Sequence, residues 1–81
     1  MNPLEESLDW KNFVHNVIWI RESNGLSKRE MASILGIGVK TLDRIENGEL
    51  PKLLSVNIFF HIWKYFGIHP TSQLGNRLGE E

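Results

Sequence analysis

The stretch SKREMASILGIGVKTLDRIENG, residues 27–48, decides how the chain folds. Ser27 with Glu30 three residues on is a capping box: the serine oxygen takes a first-turn N–H, and the glutamate returns to the N–H of Ser27. It opens a helix whose apolar residues are Met31, Ile34 and Leu35, with Ala32 as its small residue. Gly36 ends that helix, since glycine enters the left-handed conformation without steric cost. Three residues later helical periodicity resumes from Val39 to Asn47, with Thr41, Leu42 and Ile45 on one side. Gly48 closes it. Two short helices joined by a tight glycine turn are expected, with Ala32 permitting their close approach.

Upstream, Asn2, Pro3 and Glu5 read as an N-cap, an N1 proline and a capping-box carboxylate, with Ser7 as a second start one turn later. Trp10, Phe13, Val14, Val17 and Ile20 recur at helical spacing and set one stripe against a core, until Ser23, Asn24 and Gly25 end the helix. Leu4, Leu8, Ile18 and Trp19 fall off that stripe, so they are either partly covered by a neighbouring segment or form a patch for self-association or a partner.

Downstream, Glu49, Leu50 and Pro51 form a break, followed by a strongly apolar helix from Leu53 or Leu54 to Phe66. Phe59, Ile62, Trp63 and Phe66 share one side with Val56 beside them, while Ile58, Phe60 and Tyr65 widen the apolar surface. Such a helix is expected to lie buried between several others, its large side chains supplying much of the core. After Gly67 and Ile68, His69-Pro70 introduces a last helix, Pro70 to Leu78, with Leu74 and Leu78 one turn apart. Residues 79–81 are expected to fray. No segment alternates with period two and no repeat is visible. The fold class is therefore all-α: a compact bundle of about five short helices in one domain spanning 1–81.

The composition narrows the function. The chain has 81 residues, no cysteine, nine basic and ten acidic side chains, and 41% apolar residues. Without cysteine there is neither a disulfide framework nor a thiolate zinc site, which suits a reducing cytoplasm. Apolar runs such as Val17 to Ile20 fall far short of the roughly 20 residues a membrane span needs, and Asn2 to Asp9 is too acidic for a signal peptide. A net charge of −1 lacks the basic signature of many small nucleic-acid binders, so such a function must come from local placement of charge. Residues 1–24 carry two basic side chains against four acidic, residues 25–54 five against four, and the remainder balances.

The sequence resembles the phage-repressor and Cro type of helix-turn-helix domain, lambda-repressor-like or XRE-type, from about Phe13 to Leu74, with the motif at 27–47. The resemblance rests on Arg21, Gly25-Leu26-Ser27, Met31-Ala32, Leu35-Gly36-Ile37, Thr41-Leu42, Arg44-Ile45-Glu46-Asn47-Gly48, Pro51 and Phe66-Gly67-Ile68. It implies that the helix from Val39 to Asn47 enters the DNA major groove. Lys40, Asp43, Arg44 and Asn47 face away from Thr41, Leu42 and Ile45 and are the contact candidates. By resemblance Gly38, Val39, Lys40 and Arg44 meet bases, while Asn47 and Lys28 meet phosphates. Arg29 and Lys52 are peripheral phosphate candidates. Asp43 is repelled by phosphates unless it accepts from a cytosine amino group or pairs with Lys40 or Arg44.

The same resemblance implies a structural ion pair between Arg21 and Glu46, whose rupture costs about 3–5 kcal/mol if the burial is deep. It implies a homodimer on double-stranded DNA, through Leu74 and Leu78 or alternatively through Leu8 and Trp19, in a cytoplasmic repressor without a cofactor. The alternative is a protein-interaction module or antitoxin-like protein of the same fold, favoured by the net charge, Gly38 and Asp43. His15, His61 and His69 lack metal-ligand spacing, no serine sits in a nucleophile pattern, and Gly36-Ile37-Gly38 is no phosphate-cradling loop, so no metal and no enzyme are expected.

Overall fold

Phe13, Val17 and Ile20 repeat on one side of a helix, and their burial sets the axis around which the rest of the chain packs. A computed structural model describes residues 10–49 and 56–80 and contains five helices among them: α1 Trp10–Ser23, α2 Lys28–Leu35, α3 Val39–Glu46, α4 Asn57–Phe66 and α5 Pro70–Gly75. The expectations on Asn2, Pro3, Leu4, Glu5, Ser7, Leu8, Leu50, Pro51, Lys52, Leu53 and Leu54 lie outside the described residues. The core joins Phe13, Val17 and Ile20 of α1 to Met31, Ala32 and Leu35 of α2, Leu42 and Ile45 of α3, and Ile58 and Ile62 of α4. Among the described residues, no helix is long and apolar enough to cross a membrane.

Two expectations need correction. On α4 the fully buried residues are Ile58 and Ile62, while Phe59 and Phe66 are half-buried; Trp63 is 44% exposed, Phe60 52% and Val56 65%. The helix packs mainly against α2 and α5, so the side turned from both has no helix over it among the described residues. Phe60 and Trp63 instead stack on each other there, with centroids 6.5 Å apart.

The last helix stops at Gly75 rather than Leu78. Its end is taken over by polar side chains of α1. Asn16, buried among the apolar residues, donates to the carbonyls of Gln73 (2.8 Å) and Asn76 (2.7 Å) and accepts from the N–H of Leu78 (2.8 Å). Asn12 donates to the carbonyl of Leu74 and His15 to that of Leu78, each at 3.0 Å. The carbonyls that a longer helix would have bonded within itself are thereby satisfied across the interface. Gln73, also buried, donates to the carbonyls of Phe59 and Ile68 and ties α5 to α4.

Leu74 and Leu78, expected as a pairing surface, are half-buried and pack against the core. Gly79, expected in a frayed tail, sits with φ 83° against Trp19, so close that a Cβ there would lie 2.2 Å from the indole nitrogen. A side chain at this position is excluded both by the conformation and by the ring. Trp19 thus gains partial cover from the C-terminal turn and remains 39% exposed.

Candidate nucleic-acid interface

The two helices of residues 27–48 are set by their ends. At the start of α2, Ser27 Oγ accepts from the N–H of Glu30 (3.1 Å) and Glu30 Oε1 accepts from the N–H of Ser27 (2.9 Å). The N–H of Ser27, and after it the Ser27 hydroxyl, lower the proton affinity of the Glu30 carboxyl. At the far end Gly36 adopts φ 73°, and Ile37 N–H reaches back to the carbonyl of Ala32 at 3.0 Å, so the chain reverses in one turn. His61 Nδ1 donates to the carbonyl of Leu35 at 2.8 Å and fastens this corner to α4. A Cβ on Gly36 would come within 3.0 Å of that imidazole.

Gly38 is the N-cap of α3, extended at φ −76° and ψ 156°, with no side-chain cap. The first-turn N–H groups of α3 therefore have no side-chain oxygen from the cap residue. Leu42 and Ile45 bury one side of α3 and Thr41 is half-buried beside them. Val39, Lys40, Arg44 and Asn47 are all exposed, with Val39 at 42%. Lys28 and Arg29 are exposed at the start of α2.

Asp43 behaves differently from the rest of the set. It pairs neither with Lys40 nor with Arg44: Lys28 Nζ donates to its Oδ1 at 2.5 Å, across from α2 to α3. Asp43 is half-buried, and its hydrogen bond raises the affinity of the Lys28 amine for its proton. The carboxylate reaches toward α2 while Lys40, Arg44 and Asn47 remain exposed on α3.

Arg21 and Glu46 form a two-pronged pair, Nε to Oε2 at 2.7 Å and Nη2 to Oε1 at 2.9 Å, with side-chain exposures of 16% and 7%. Arg21 Nη1 also donates to the carbonyl of Leu26 at 3.3 Å. The bond to Glu46 raises the proton affinity of the guanidinium despite the opposing effect of burial. One side chain of α1 thus grips the end of α3 and the loop before α2, which fixes the angle at which α3 is presented.

Among the described residues, no group of three or more histidine or acidic side chains is arranged to hold a metal ion. The sequence reading missed Asn16 and Gln73. Asn16 carries a signal that points to it, because it lies on the same stripe as Phe13, Val17 and Ile20. A polar residue at core spacing needs a partner inside.

A two-helix unit with a glycine turn, and with exposed basic side chains on its second helix, defines a class of DNA-binding domain. A family model described as Helix-turn-helix matches residues 17–72, and the chain belongs to that family of XRE/lambda-repressor-like domains. Comparison with curated proteins and with solved structures gave no match in either set. Membership supports a DNA-binding helix-turn-helix regulator.

Proposed function

We propose that the chain is a sequence-specific regulator of transcription that lays α3 in the major groove of a palindromic operator and acts there as a homodimeric repressor. The observation that carries this reading is the surface of α3. Val39, Lys40, Arg44 and Asn47 lie exposed together, and the carboxylate among them, Asp43, is engaged by Lys28. Arg44 and Lys40 match guanine O6 and N7, and Val39 suits a thymine methyl, so half-sites with G beside T are expected. The α3 N-terminus at Gly38 suits a phosphate oxygen, with Lys28 and Asn47 as further backbone contacts and Arg29 and Lys52 at the periphery.

One such helix reads only a few base pairs, and a palindrome read by two copies requires recognition helices about 34 Å apart. The extents of the molecule, 35 × 29 × 20 Å, suit two copies side by side at that spacing. Repression needs only occupancy of the operator. The work of the protein is binding rather than catalysis, in the cytoplasm and on the nucleoid, with no cofactor.

The exposed Val56, Phe60 and Trp63 favour a second reading, in which the fold serves as a protein-binding or antitoxin-like module. Selection of bound sequences from a random duplex library separates the two. Enrichment of a palindrome supports the operator reading, and a library that emerges unenriched at low salt refutes it.

A further inference from the structure

We propose that Asp43 is an internal competitor for DNA phosphate at Lys28, and that it suppresses non-specific binding; this rests on the DNA-binding reading above. Lys28 is the first residue of α2, where an ammonium meets the positive end of the helix dipole. Two acidic side chains act on that ammonium, Asp43 and Glu46. Glu46 is engaged by Arg21, which leaves Asp43 as the partner of Lys28.

A carboxylate and a phosphodiester offer the ammonium the same kind of anionic oxygen. Asp43 therefore fills at Lys28 the role that a phosphate fills in a complex. Both side chains are close to half exposed, at 44% and 49%, so exchange with a solvent-borne anion is open.

On an arbitrary duplex the trade gains little. Lys28 gives up one anion to take another, and Asp43 is left unpaired beside the backbone, where it is repelled. The pull of the phosphates, which supplies essentially all non-specific affinity, is weakened by about one cation. Contacts made by Lys40 and Arg44 to base edges are not taxed in the same way, since neither is held by Asp43. Asp43 thereby widens the margin between operator and bulk DNA.

The test is the salt dependence of binding to an operator-free duplex, for the parent, Asp43→Asn, Lys28→Ala and the double variant, with thermal melts verifying that each folds. Asp43→Asn is expected to bind on the order of five- to tenfold more tightly near 0.1 M salt, with a log–log slope steeper by about 0.9, one phosphate contact. Lys28→Ala is expected to abolish, in the Asp43→Asn background, the gain that Asp43→Asn brings alone. Binding by Asp43→Asn alone supports the proposal in its strongest form. An unchanged slope overturns it and leaves the DNA-binding reading standing. Loss of affinity confined to sequences with cytosine at one position also overturns it, because Asp43 is then a base reader. If neither protein binds any duplex at low salt, the DNA-binding reading fails and this proposal with it.

Discussion

Arg21 and Glu46 hold α3 at its working angle. Both side chains are mostly covered and doubly bonded to each other, so neutralising one strands the other in partly desolvated surroundings. Their edges still touch water, which lowers the expected cost below that of a deeply buried pair. Glu46→Gln is predicted to lose about 2 kcal/mol of stability, a charge-assisted hydrogen bond's worth, read from chemical denaturation. A midpoint equal to the parent's contradicts the account. These two residues were legible through the register of the motif, as were the exposed Lys40 and Arg44. The partner of Asp43 was not, because spacing along α3 points to its neighbours Lys40 and Arg44. The bond to Lys28 depends on how closely α2 and α3 approach.

At the scale of elements, the ends of α2 and α3 are written locally, in Ser27, Glu30, Gly36 and Gly48, and local signals survive whatever the rest of the chain does. The end of α5 is written elsewhere. Its carbonyls and those of the turn that follows are satisfied by Asn12, His15 and Asn16 of α1, and no pattern within residues 70–78 encodes that. Asn16→Ala is predicted to cost about 2–3 kcal/mol, since it orphans the buried carbonyl of Gln73 and takes their partner from the part-buried groups of Asn76 and Leu78. Hydrogen exchange should show the loss concentrated in α5 and the turn at Leu78. Uniform protection across that region would count against the assignment. The exposed side of α4 was illegible for a related reason. Ile58 and Trp63 flank the same stripe, and only the placement of α2 and α5 decides which of them is covered.

For the whole molecule, the charge balance takes its meaning from location. Nine basic against ten acidic residues argue against a general affinity for nucleic acid, but the three carboxylates within residues 27–47 are engaged internally: Glu30 by Ser27, Glu46 by Arg21, Asp43 by Lys28. Beside Val39, what faces outward on α3 is then positive and polar. Pairing on a palindrome follows from the limited reach of one helix, so sedimentation of a selected duplex with excess protein should give two chains per duplex. One chain per duplex at saturation would contradict the dimer.

The central claim is that α3 reads DNA through Lys40 and Arg44. It is tested most directly by titrating a selected duplex with the parent and with the Lys40→Ala, Arg44→Ala double variant across a range of salt. Each lost guanine contact removes about 1–3 kcal/mol of discrimination. The account predicts that the double variant melts like the parent, binds the selected duplex at least tenfold more weakly, and shows a shallower salt slope. Binding of the double variant equal to the parent's at every salt concentration would contradict it.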